Sequence, residues 1–126
     1  MRAAIVVFIG AGIGGVMRHY LNLCVTALAG SAFPYGILAI NVLGSTAMGF
    51  LAGWLAFRAD VLPEVRLFLA TGVLGGFTTF SAFSLDTALL MERGETFAAA
   101  AYVAGSVALS VLGLFIGLWA MRAALG

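Results

Sequence analysis

The sequence is poor in charge, contains one cysteine and has no lysine. Charged residues make up 9% of its 126 residues, whereas soluble domains carry about 25%. The chain therefore has too few charged side chains to cover a normal water-facing surface. Six arginines against five acidic residues leave a net charge of +1, which excludes the clustered cations of a nucleic-acid-binding protein. The lone Cys24 excludes an internal disulfide and a cysteine metal cluster. Hydrophobic residues make up 63% of the chain and the mean hydropathy is +1.16, which indicates an integral membrane protein.

Long uncharged stretches predict four membrane-spanning helices. About 20 apolar residues cross a bilayer as a helix, and the longest stretch, 19–57, is too long for one. Residues 30–34 divide it, because they form a loop whose proline is suited to begin the next helix. The first stretch is longer than the core of a signal peptide, and no A-x-A-like cleavage site follows it. The sequence therefore predicts an all-α membrane protein with a single transmembrane domain, 1–126. Its predicted spans are about 3–28, 35–57, 65–91 and 96–122.

The arginines in the short loops favour one orientation, because cytoplasmic loops carry an excess of basic residues. The predicted spans place four arginines on one side: Arg2, Arg58, Arg66 and Arg122. Arg93 lies on the other side, together with Arg18 if that side chain reaches the interface. Trp54 and Trp119 are near the arginine-richer side and fit an interfacial aromatic belt. We predict that both termini are cytoplasmic, with a bias small enough to leave insertion in both directions open.

The third span has a poor centre for a helix. Gly75 and Gly76 are followed by the β-branched Thr78 and Thr79, and each glycine costs a helix about 1 kcal/mol. We predict a break there, with backbone carbonyls freed at mid-membrane to face protein or a polar cavity and to coordinate cations. An intact helix whose glycines lie at a packing contact is the alternative.

Three further side chains in the spans have both a structural and a functional interpretation. Phe80 and Phe83 share a helix face and either pack or offer their positive ring edges to an anion. Asn41 either bonds a neighbouring helix or lines a path on which it donates to an anion.

The last span carries three hydroxyls spaced by four residues, on one helix face: Tyr102, Ser106 and Ser110. Serine hydroxyls also bond their own backbone, so the stripe alone decides nothing. Arg18 and Asp86 lie toward the same side of the membrane, and we predict that they pair within one subunit.

Four Gly-x-x-x-Gly pairs occur, at 10/14, 49/53, 72/76 and 113/117. The glycine content alone gives about two by chance, so the motif is weak support for helix contacts. Four helices of a 13.0 kDa chain hardly enclose a hydrated pathway alone. We therefore expect an oligomer on grounds of size.

Segments in three of the spans together resemble the Fluc/CrcB family of bacterial fluoride channels. They are 14–18 (GGVMR), 41–44 (NVLG) and 72–84 (GVLGGFTTFSAFS). The resemblance covers nearly the whole chain. It implies a fluoride-specific channel that exports cytoplasmic fluoride passively across the bacterial inner membrane and so reduces fluoride toxicity.

The resemblance also implies an assembly and a set of site residues. The assembly is an antiparallel homodimer in lipid with two fluoride pores, and a structural Na⁺ at its centre is held by the backbone carbonyls of Gly75 and Thr78. The implied pore residues are Asn41, Phe80, Phe83, Tyr102, Ser106 and Ser110, with Arg18 near a vestibule. No catalytic constellation is present, so we do not expect an enzyme.

Two other functions are compatible with four short spans. A small multidrug exporter needs a membrane-embedded carboxylate in its first helix, and this first span has none. A structural membrane subunit would use its glycines only for packing against partners.

Overall fold

The computed structural model describes residues 1–126, and all of its regular structure is helical. The first two spans are α1 (Arg2–Ala29) and α2 (Tyr35–Ala56). The third span consists of α3 (Pro63–Arg66), a π-helix (Leu67–Leu74), α4 (Gly75–Phe77) and α5 (Phe80–Glu92). The last span is α6 (Thr96–Leu125).

Four helical segments are long and apolar enough to cross a membrane, which confirms the four predicted spans. They are Arg2–Ala29, Tyr35–Ala56, Pro63–Glu92 and Thr96–Leu125. Only 18 of the 126 residues are buried, and large apolar side chains cover the outside. Such a surface suits lipid or another protein rather than water.

Glycines set the distance between neighbouring helices. A Cβ added to Gly10 would lie 2.7 Å from the Phe68 carbonyl oxygen, and one on Gly76 would lie 2.5 Å from that of Ala11. The same holds between α2 and α6, where a Cβ on Gly117 would lie 2.6 Å from the Phe50 nitrogen. Because no side chain fits at these positions, α1 packs backbone to backbone on residues 63–77, and α2 packs in the same way on α6.

The third span breaks in the middle, as predicted, but the break lies at Thr78 and Thr79, just after the glycine pair Gly75 and Gly76. Gly75 keeps helical angles (φ −64°, ψ −37°), whereas Thr78 (φ −79°, ψ 156°) and Thr79 (φ −151°, ψ 118°) are extended. β-Branched side chains favour extended backbone, while the tight packing of Gly76 on α1 keeps the glycine pair helical. The π-helix before the break was not expected from the sequence.

Candidate ion-binding groove at the broken third span

Asn41 on α2 is hydrogen-bonded to the backbone of the third span at its break. Its Nδ2 donates to the Thr79 carbonyl at 3.1 Å, and the Thr79 N–H donates to its Oδ1 at 2.8 Å. The Thr79 hydroxyl in turn accepts the Ala82 N–H at 3.1 Å, as the N-cap of α5. Asn41 therefore pairs with both backbone groups of Thr79, and the Thr79 hydroxyl caps the first turn of α5.

A groove of about 300 Å³ opens beside the break, between α2, α5 and α6. It contains five of the six pore residues implied by the resemblance: Asn41, Phe80, Phe83, Ser106 and Ser110. Its remaining lining residues are Ser45, Thr78, Thr79, Val107 and Val111. The Phe80 and Phe83 ring centroids lie 5.3 Å apart, so the two rings form one aromatic edge of the groove.

Two buried hydroxyls in the groove have no hydrogen-bond partner in the chain. The Oγ atoms of Ser106 and Ser110 are buried and unpaired, and Ser106 is only 5% exposed. They do not bond their own helix backbone, which was the alternative left open by the sequence. A buried unpaired hydroxyl costs about 1–3 kcal/mol, and both hydroxyls are free to donate a hydrogen bond to a ligand in the groove.

Tyr102 lies beneath the groove rather than in it. The residue is fully buried, its ring centroid is 5.2 Å from that of Phe83, and its hydroxyl donates to Asp86 Oδ2 at 3.2 Å. The hydroxyl stripe of α6 is therefore divided. Two serines face the groove, and the tyrosine supports an aromatic side chain that lines it.

The predicted pair of Arg18 and Asp86 is wrong. The chain has two ion pairs, Arg58–Asp60 and Arg93–Glu95, and both lie in exposed loop regions. Arg18 Nη1 instead donates to the Thr78 carbonyl at 3.3 Å. The reason is packing, because α1 lies on residues 63–77, whereas Asp86 on α5 faces Tyr102 of α6.

The break offers backbone oxygens as cation ligands. The chain has no cluster of carboxylate, imidazole or thiol groups that would hold a metal ion. The Gly75 carbonyl has lost its usual helical partner, because the Thr79 N–H donates to Asn41. Gly75 is exposed, and the Thr78 carbonyl keeps a second lone pair beside its bond from Arg18. The Gly75 oxygen therefore fits a hard cation such as Na⁺, whereas the Thr78 oxygen would bind it only against the positive charge of Arg18, which donates to the same oxygen.

Sequence reasoning missed Ser45 and did not assign Thr79 a role in the groove. Ser45 follows Asn41 by four residues on the same helix, so the spacing rule for helix faces would have found it. The role of Thr79 depends on its pairing with Asn41, 38 residues away along the chain, and no local pattern signals that contact.

Residues 5–118 match the profile of the family described as CrcB-like protein, Camphor Resistance (CrcB). The chain belongs to the CrcB-like family. A relative from Rhodopseudomonas palustris (strain BisB5), "Fluoride-specific ion channel FluC", is 55% identical over 119 residues, which cover 94% of this chain and 96% of the relative. A relative of the same name from Novosphingobium aromaticivorans is 56% identical over 124 residues, or 97% and 98% of the two chains. One from Rhizobium meliloti (strain 1021) is 49% identical over 120 residues, or 94% and 96%.

Membership in the CrcB-like family confirms the resemblance inferred from the three sequence segments. Together with the four spans, it makes the chain a multi-pass membrane protein. The names of the relatives describe ion channels and not enzymes.

Proposed function

We propose that the chain is a fluoride-specific channel through which cytoplasmic fluoride leaves a bacterial cell across its inner membrane. The observation that carries the proposal is the identity of about half of the residues, over nearly the whole chain, to relatives named as fluoride-specific channels. The groove beside the break supports it, because its polar groups are hydroxyls and an amide that donate hydrogen bonds.

The groove is suited to a small anion that must shed water. Fluoride holds its hydration strongly, so the protein has to supply replacement donors. One Nδ2 hydrogen of Asn41 is left over from the bond to Thr79, and the Ser106 and Ser110 hydroxyls are unpaired. The edges of Phe80 and Phe83 add partial positive charge. A larger halide would fit the same donors poorly, and we attribute the rejection of chloride to narrowness together with donor geometry.

Export needs no energy source beyond the membrane potential. An inside-negative potential favours the exit of a monovalent anion by about 2.3 kcal/mol per 100 mV. At 1.4 kcal/mol per factor of ten, this corresponds to roughly a 50-fold concentration gradient at equilibrium. A passive pore is therefore enough to reduce fluoride toxicity.

A second copy of the chain completes the groove. In the single chain the groove is open on one side, and Phe80 is 77% exposed. An ion pathway open to lipid would leave the ion in hydrocarbon, so we propose a homodimer with two pores. The antiparallel arrangement follows from the family resemblance, and the small arginine bias toward cytoplasmic termini leaves insertion in both directions open.

We further propose a structural Na⁺ where the two breaks meet, held by the Gly75 and Thr78 carbonyls of both copies. When bound, the ion supplies positive charge that offsets the cost of bringing fluoride into a low-dielectric region. The residues of the chain prepare the site: Asn41 diverts the Thr79 N–H from Gly75, and Gly76 holds the preceding turn against α1.

Fluoride efflux from liposomes that contain the purified protein tests the proposed function. We expect fast efflux, followed with a fluoride electrode, and no comparable chloride efflux under the same gradient. Proton-coupled export of organic cations would instead support the multidrug exporter, and inert liposomes would support the structural subunit. Replacing Na⁺ by N-methylglucamine on both sides during reconstitution should abolish efflux, and unchanged efflux would contradict the sodium site.

A further inference from the structure

Asn41 contacts the break through both ends of its side-chain amide. Its oxygen accepts from the Thr79 N–H at 2.8 Å, and its nitrogen donates to the Thr79 carbonyl at 3.1 Å. A side-chain amide bonded to both backbone groups of one residue imitates a neighbouring β-strand. Only one orientation of the amide satisfies both bonds, because oxygen cannot donate and the NH₂ group cannot accept.

The pairing with Asn41 replaces the backbone hydrogen bond that the Thr79 N–H loses at the break. In an uninterrupted helix the Thr79 N–H would donate to the Gly75 carbonyl, and hydrocarbon offers a freed N–H no partner. Asn41 supplies the acceptor, so the extended conformation at Thr79 leaves neither backbone group of that residue unpaired. The Gly75 carbonyl is left without its helical donor at the same step.

The approach of α2 to the break has a second, independent cause. A Cβ on Gly44 would overlap the Thr78 methyl and lie 3.1 Å from the Phe77 ring. Gly44 therefore lets α2 touch the residues just before Thr79, less than one turn after Asn41 on the same helix. The contact and the pairing together place the amide where it reaches the extended backbone.

We propose that Asn41 is a positioning residue that holds the third span in its broken conformation. By taking up both backbone groups of Thr79, it keeps the Gly75 carbonyl free and fixes the start of α5, on which Phe80 and Phe83 stand. Its effect on ion flow, which rests on the proposed fluoride channel, is thus exerted through Thr79 as well as through its spare N–H.

Amide-resolved hydrogen exchange of the reconstituted full-length protein tests this role. In the native protein we expect the Thr79 N–H to exchange more slowly than the N–H groups of Ser31 and Ala32, because neither of those two groups donates a hydrogen bond. Asn41→Leu keeps the branching of the side chain but removes its polar atoms, and it should speed exchange at Thr79 about tenfold, as expected when a buried hydrogen bond is lost.

A further variant separates positioning from general destabilisation. Ser45→Ala changes a groove residue one turn further along α2 that makes no hydrogen bond to the break, so Thr79 should stay protected.

Thr79 exchange as fast as that of Ser31 and Ala32 in the native protein would overturn the proposal, even if no variant folds. Full protection of Thr79 in Asn41→Leu, or loss of its protection in Ser45→Ala, would also overturn it. Because exchange is measured without a fluoride gradient, a protein that is protected at Thr79 but inert in liposomes contradicts only the proposed channel.

Discussion

The two halves of the third span are held in the molecule by different kinds of contact. Residues 63–77 lie against α1 with backbone touching backbone, at glycines such as Gly14 and Gly76. The second half, Phe80–Glu92, meets α6 through side chains, with the Phe83 ring 5.2 Å from that of Tyr102 and the Tyr102 hydroxyl bonded to Asp86. No residue of the first half lines the groove, whereas the second half borders it.

This difference predicts how each half responds to substitution. Backbone contact at glycine tolerates no added atom, because neither helix can move away without losing the whole interface. Side chains beside a groove have room to change, so their replacement should alter ion flow more than folding. The expected effects below run from the largest to the smallest.

Gly14→Ala should cause the largest loss, because its Cβ would lie 2.7 Å from the Phe77 nitrogen and closer still to the Val73 carbonyl. We expect about 1–3 kcal/mol of destabilisation, measured by thermal unfolding in detergent. The matched control is Gly12→Ala on the same helix, where nothing lies within 4 Å of the new methyl group. Equal stability of the two variants would show that the α1 contact is not tight.

Phe80→Ile should slow fluoride efflux about fivefold or more, because one aromatic contact contributes about 1 kcal/mol. The protein should still fold, since Phe80 is largely exposed in the chain. Initial efflux rates from liposomes measure the effect, and Phe97→Ile serves as the control, at an exposed phenylalanine near the start of α6. Normal efflux in Phe80→Ile would contradict a role for the ring edge.

Ser106→Ala should separate ion flow from stability. Removing a buried hydroxyl that has no partner leaves stability unchanged or raises it by up to about 1 kcal/mol, while efflux falls because one donor is lost. Ser84→Ala is the control, since that hydroxyl is exposed and bonds the Phe80 carbonyl at 2.9 Å. A marked loss of stability in Ser106→Ala, with efflux intact, would assign the serine to packing.

The smallest effect concerns Asp86 and its partners. A double-mutant cycle of Tyr102→Phe with Asp86→Asn should give a coupling of about 0.6 kcal/mol, the average for hydrogen bonds between membrane helices. The same cycle of Arg18→Gln with Asp86→Asn should give none within error, because these two residues do not pair. Coupling in the second cycle alone would restore the predicted ion pair.

Local patterns predicted the outline of the molecule well. No span boundary differs from its predicted position by more than three residues, because hydropathy and loop residues act over short distances. The break was predicted from unfavourable helix residues, but its position at Thr78 and Thr79 depends on Gly76, whose contact with α1 keeps the preceding turn helical.

Contacts between distant segments were predicted less well. The Gly-x-x-x-Gly pairs were weak support by count, yet glycines of all four pairs lie at helix contacts, among them Gly10, Gly49 and Gly117. The predicted partner of Arg18 was wrong. Asp86 was chosen because it lies at a similar depth in the membrane, but the two side chains point to different helices. Depth can be read from sequence, but the rotation of a helix about its axis depends on its neighbours.

The sequence by itself determined that the chain is surrounded by lipid, how many spans it has and where its third span is least suited to a helix, because each of these follows from the composition of one continuous segment. Only the tertiary structure decided which groups meet at the break in the third span. Asn41 reaches Thr79, Arg18 reaches Thr78 and Tyr102 turns to Asp86. These choices depend on how closely glycine lets the helices approach and on which face each helix turns toward its neighbour, and both are properties of the packed bundle.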